Sequence, residues 1–265
     1  MMYPLILPIL ILVLITGLIY IFLVRKNKPR PVKPLHAASI RVLETEVHYY
    51  QQLDAENKLL FQDRIQRFLS KVRITGVNTT VEETDRMLIG ASAVIPVFGF
   101  PGWEYTNLNE VLLYPDAFNE TFEQEGENRY TLGLVGTGAF QDIMILSQPQ
   151  LLDGYRNPHS RSNPGIHEFV HLVDKTGGVV DGIPEAIMLK KYIQPWRELM
   201  QAGINKILEY NSDINPYGAT NEGEFFAVVA EYFFKQPHVL KDNHPDLYKM
   251  LSNIFNQDPV SNFLH

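Results

Sequence analysis

Cysteine is absent from the 265 residues, so neither a disulfide nor a thiolate metal site can exist. Any metal must be held by His, Asp or Glu. Tryptophan is scarce, with two residues, and no low-complexity tract or internal repeat breaks the body of the chain. Charge is missing altogether from residues 1–24, where a run from Leu5 to Val24 is long enough to cross a bilayer as a helix. Acids are missing from the next stretch, in which Arg25, Lys26, Lys28, Arg30 and Lys33 stand alone among Pro29, Pro31 and Pro34. A cleaved leader would carry its basic residues before the apolar run; here they follow it. The pattern predicts a retained single-span anchor over 1–24, a stiff basic linker over 25–36 and a folded domain over 37–265. Lys/Arg on the C-terminal side of the span predicts an inner-membrane protein with its body in the cytoplasm.

Past the linker the acids dominate, and the remainder carries a net charge of −12. That balance argues against nucleic acid as a partner. With 45% hydrophobic residues and 20% charged, the body is that of a globular protein. Ile40, Leu43, Val47 and Tyr50 share one helical face, and Phe61, Ile65, Phe68, Leu69 and Val72 another, with Asp54 as the second helix's N-cap. Val81–Ala93 reads as a third helix. Val111–Tyr114 and Ile143–Leu146 read as short strands, 147–163 as a polar Pro-containing loop, and the rest as mainly helical. Helices beside a small sheet give an α+β class.

Chemistry concentrates at His167-Glu168-Phe169-Val170-His171. On a helix, residues four apart lie about 40° from each other, so both imidazoles can reach one ion. Glu168, about 100° away, can face water beside that ion without binding it. Asn163 is a natural N-cap, Pro164 suits the first helical position, and Gly177 is a natural stop. Two histidines leave a catalytic zinc site one protein ligand short. Glu185, Glu222, Glu224, Glu231 and the remaining histidines are all open candidates. Glu224 and Glu231 share a face of a predicted helix Glu222–Phe234 that also holds Phe225, Phe226, Val228, Val229 and Phe233. Carboxylates in so apolar a segment need partners. Asp174 could accept the distal N–H of a metal-bound imidazole, and Glu231, from its shared face with Glu224, could support the ligands from the outer shell.

The stretches His167–Asp174 and Tyr217–Ala227, with Glu224-Phe225-Phe226-Ala227 inside the second, resemble the Mlc titration factor A family of zinc-dependent peptidases. They also resemble the catalytic domain of anthrax lethal factor. The resemblance implies a zincin-like domain, Zn2+ as cofactor, Glu224 as third metal ligand beside His167 and His171, and Tyr217 lining the site. It further implies peptide hydrolysis by Glu168-activated water, with Tyr217 donating a hydrogen bond to the oxyanion. The family's name implies a second reading: a membrane-tethered regulator that sequesters a protein partner such as a transcriptional repressor.

Overall fold

The computed structural model describes residues 34–116 and 142–261, with the backbone of 133–135 and 263–264. The predicted anchor and the basic residues of the linker up to Lys33 lie outside the described residues. Among the described residues, no helix is long and apolar enough to cross a membrane.

The chain opens with α1 (Ala37–Glu46) and α2 (His48–Gln52), where a single face was expected. Val47 leaves the helix with φ −107° and ψ 91°, and the bend brings Leu43, Val47 and Tyr50 together into the core. A β-branched residue loses least at such a break. α3 (Ala55–Lys71) starts at Asp54, which accepts from Asn57 N at 2.8 Å, and buries Phe61, Ile65 and Phe68 as its spacing predicts. β1 (Arg73–Gly76) follows, then α4 (Glu83–Val94). β2 (Glu110–Tyr114), β3 (Gly133–Val135) and β4 (Ile143–Ser147) complete a sheet of order β1-β2-β4-β3. β1, β2 and β4 run parallel; β3 is antiparallel to β4 at the edge. In register, Ile74 pairs with Val111 and Val111 with Met144, and these three side chains share the buried face. Leu112 and Ile145 turn to the other face, as the two-residue repeat of a strand requires.

The predicted loop 147–163 is corrected by α5 (Gln148–Arg156). Pro149 marks this helix's first turn rather than a loop, because a missing N–H costs nothing there. Leu151 and Gly154 face the core. α6 (Pro164–Asp174), α7 (Lys190–Leu208), α8 (Glu222–Lys235), α9 (Pro237–Asn243) and α10 (Pro245–Phe255) follow, with the short pair β5 (Gln257–Asp258) and β6 (Phe263–Leu264). The described body is thus mainly helical with a small, largely parallel sheet.

The last described turn is fastened to the first helices. The Tyr49 hydroxyl donates to Gln257 Oε1 at 2.5 Å, and Gln257 Nε2 donates to Ile95 O at 2.9 Å. Rings of Tyr49, Phe61, Phe98 and Phe234 pack between, with centroids 5.4–6.2 Å apart. α6 lies close against α4 and α5 at Gly165, where an added Cβ would stand 2.3 Å from Ser92 Oγ and 3.0 Å from Leu151 Cδ1. Ser92 is itself committed, 2.9 Å from the Tyr155 hydroxyl. Gly165→Ala should therefore lower stability by about 1–3 kcal/mol through overpacking. A urea midpoint equal to wild type would show that α6 has room to shift.

Candidate metal centre

α6 begins where the sequence predicts. The Asn163 side chain accepts from Ile166 N at 3.1 Å, and Pro164 occupies the first turn. Phe169, Val170, Leu172 and Val173 are fully buried, and the Phe169 ring meets Phe68 and Tyr105 edge-on. That packing fixes the rotation of the helix and sends His167 and His171 to its other side. Their rings lie 4.7 Å apart at 83°, with the two Nε2 atoms separated by 3.1 Å. The helix ends at Asp174 and tightens into a 3-10 turn over Lys175–Gly177. Gly178, one residue beyond the predicted stop, takes the left-handed conformation with φ 100°.

α8 packs along α6. Asn221 caps it, accepting from Glu224 N at 2.9 Å. Glu224 Oε2 lies 3.0 Å from His167 Nε2 and 3.4 Å from His171 Nε2. Three donor atoms from His167, His171 and Glu224 thus converge, the one such group among the described residues whose geometry suits a metal ion. Ligands about 2.0–2.2 Å from a tetrahedral ion stand roughly 3.3–3.6 Å from one another. The observed triangle is within a few tenths of an ångström of that, and two imidazoles with a carboxylate suit a borderline-soft divalent cation. The residues fit a metal.

Burial alone would push the Glu224 carboxyl up, but hydrogen bonds from His167 and His171 outweigh it and hold it at about 2. Burial likewise works against a charge on His167, and the carboxylates of Glu231 and Glu224 outweigh it, raising the imidazole well above its ordinary value. A cation among these atoms would take the place of that proton. Glu168 is buried, which raises its carboxyl, while His167 and His171 pull it back. Burial wins, so the carboxyl holds a proton more readily than an exposed one, as a proton-transfer group must. Tyr217 is 53% exposed, its ring 6.1 Å from that of His167. It sits in a 3-10 turn over Pro216–Ala219, and its hydroxyl is hydrogen-bonded to Glu224. Partial burial and the charges of Glu224 and Glu168 raise its pKa, so the hydroxyl keeps its proton.

Glu231 does not join the cluster. Its Oε1 lies 2.7 Å from His167 Nδ1, and its Oε2 accepts from Ser162 Oγ at 2.8 Å and from Asn163 N. It therefore orients the imidazole from behind, the outer-shell support the sequence allowed it; the distal N–H expected to go to Asp174 is held by Glu231 instead. Asp174 is turned elsewhere: its Oδ2 accepts from Gly182 N at 2.8 Å and stabilises the turn where Gly182 has φ 75°. Glu185 and Glu222 are exposed. Arg156 pairs with Glu46 at 3.0 Å, and Arg161 with Asp213 at 3.0 Å. Asp213 escaped the sequence reading entirely, because its partners come from distant segments and no spacing announces them.

Residues 22–256 match the family described as glucose-regulated metallo-peptidase M90. The chain belongs to this family. An uncharacterised protein of Synechocystis sp. (strain ATCC 27184 / PCC 6803 / Kazusa) is 29% identical over 88% of this chain and 87% of its own length. Mlc titration factor A of Pectobacterium atrosepticum is 28% identical over 63% of this chain, and that of Serratia proteamaculans 32% identical over 58%. The chain spans 66% and 62% of those two relatives' lengths. A metallopeptidase family implies a metal, and in this M90 member His167, His171 and Glu224 are the described residues able to hold one.

Two expectations follow from the geometry of this M90 site. Glu231→Gln keeps the shape of the side chain but removes the charge behind His167, so metal affinity should fall about 10- to 100-fold in a chelator competition. Unchanged affinity would mean that Glu231 does not tune the imidazole. Asp174 behaves differently. Burial pushes its carboxyl from 3.8 up to about 7, so across that interval the unfolded chain releases a proton that the folded protein retains. Wild-type stability therefore declines as pH rises from about 4 to about 7. Asp174→Asn, which keeps an acceptor for Gly182 N, should be more stable than wild type at about pH 8 and lose that advantage by about pH 4. Denaturant midpoints with parallel pH profiles for the two proteins would contradict this.

Proposed function

We propose that this protein is a zinc-dependent peptidase with Glu168 as its proton-transfer group. The convergence of His167 Nε2, His171 Nε2 and Glu224 Oε2 carries the reading. Three N/O ligands in a cysteine-free chain are the donor set of catalytic rather than structural zinc. When bound, zinc supplies a Lewis acid that polarises the scissile carbonyl and acidifies water. The Glu168 carboxylate takes a proton from the attacking water and delivers it to the leaving nitrogen. Tyr217, whose hydroxyl reaches Glu224 and stays protonated, donates to the carbonyl oxygen as charge develops there. His167 is kept in orientation by Glu231.

A peptide substrate has a place to lie. β3 is an edge strand among the described residues and runs beside α6. An outermost strand is where an extended peptide usually adds to a sheet, through backbone hydrogen bonds. The uncharged run and basic cluster at the N-terminus support tethering to the inner membrane with this site in the cytoplasm. The relatives' name, Mlc titration factor A, points to a regulatory protein partner, and capture of such a partner is compatible with hydrolysis.

The deciding experiment separates proton transfer from metal binding. Glu168→Gln should retain one zinc per chain and lose peptide hydrolysis by at least about 100-fold, the usual contribution of a positioned acid–base group. Glu224→Ala should lose the zinc itself. Near-wild-type turnover in Glu168→Gln, or full zinc content in Glu224→Ala, would overturn the assignment.

A further inference from the structure

Asp213 stands outside the metal cluster, yet its carboxylate joins the segments that surround it. Oδ1 lies 2.5 Å from His244 Nε2, at the junction of α9 and α10. Oδ2 accepts from Asn243 Nδ2 at 2.7 Å and from the Tyr232 hydroxyl at 2.8 Å. Arg161 closes the group: Nη2 lies 3.0 Å from Asp213 Oδ2, and Nη1 donates to the main-chain carbonyl of Asp213. The same guanidinium lies 4.5 Å from the centroid of the Tyr232 ring, a cation–π contact. With both ends of Arg161 engaged, its charge is not free for a substrate.

What Arg161 and Tyr232 have in common is Glu231. Arg161 is followed by Ser162 and Asn163, the two residues that donate to Glu231 Oε2. Tyr232 is the residue after Glu231 on α8. The Arg161–Asp213 pair therefore grips Glu231 from two sides, through the strap 161–163 and through the helix. If the strap swung away, Glu231 would keep His167 alone as a partner. A buried carboxylate with too few donors is costly, and it moves to find others.

We propose that Arg161 and Asp213 are positioning residues for metal binding. The pair holds the strap 161–163 and Tyr232 so that Glu231 stays against His167 Nδ1, and it sets affinity for the ion without touching it. This rests on the reading of His167 as a metal ligand. The Arg161 and Asp213 side chains are 35% and 29% exposed, so water shares in their pairing and the effect belongs at the low end of outer-shell contributions.

The test uses the full chain and zinc alone, with affinity measured against a chromophoric chelator. Asp213→Asn should weaken zinc about tenfold. The Asp213→Asn/Glu231→Gln double variant should bind no more weakly than Glu231→Gln, because the pair acts through Glu231. Should Asp213→Asn fail to fold, Arg161→Met carries the same comparison, singly and with Glu231→Gln. Arg67→Met, which breaks an exposed pair with Asp63 on α3, serves as a control and should leave affinity unchanged. A purely architectural role would move the thermal midpoint and leave zinc affinity alone. Wild-type affinity in the variant, or losses that add in the double variant, would overturn the proposal while leaving the metal site intact. A wild-type chain that binds no zinc would overturn the metal reading and this inference together.

Discussion

A buried carboxylate on an apolar helix has to be matched by donors from somewhere else, and Glu231 imposes that demand on the site. On α8 it is flanked by Ala230 and Tyr232, with Phe225, Phe226, Val229 and Phe233 also buried. Leaving such a charge unpartnered costs several kcal/mol, on the order of 3–5 when one member of a buried pair is removed. Its donors are Ser162, Asn163 and His167. The start of α6 and its placement beside α8 are therefore tied to one side chain. Asn163 serves twice, capping α6 with its side chain and holding Glu231 with its main-chain N–H. Positioning of the first histidine and initiation of the helix that bears it are the same event.

Charge explains why these groups tolerate one another. Glu168, Glu224 and Glu231 gather around two imidazoles, all at least partly sheltered from water. Three like charges at this range repel, and protons or a cation must balance them. His167 resolves part of the conflict by facing Glu231 with one nitrogen and Glu224 with the other. The local arrangement selects for positive charge at one point and leaves little freedom about where it sits.

Much of this was legible in the sequence because the informative signals were local. The i, i+4 histidines, the Asn163 cap and Pro164 in the first turn of α6 are all short-range patterns, and each is found in place. The choice of Glu224 over Glu231 was not local. Spacing put both on one face, and the resemblance favoured Glu224; the packing of α6 along α8 then sets one carboxylate at Nε2 and the other at Nδ1 of the same ring. What escaped was written in other terms. Pro149 looked like a loop residue because a proline that starts a helix and one that prevents it read alike. β1 is four residues long, too short for a periodicity. The break at Val47 follows from how two helices reach one core. Asp213 gathers partners from Arg161 to His244, which only the folded chain brings together.

The fastening of Gln257 to Tyr49 also has a meaning in time. The two residues are separated by 208 positions, and synthesis proceeds at about 5–20 residues per second. Roughly 10–40 s thus pass between the emergence of one partner and the translation of the other. Throughout that interval Tyr49, Phe61 and Phe98 lack the cover that Phe234 and Gln257 later supply. The nascent chain presents a sticky aromatic face to the cell before it can present a metal site, since Glu224 and Glu231 are themselves made late. The moment at which the chain can first hold an ion is set by the order in which the ribosome delivers these residues.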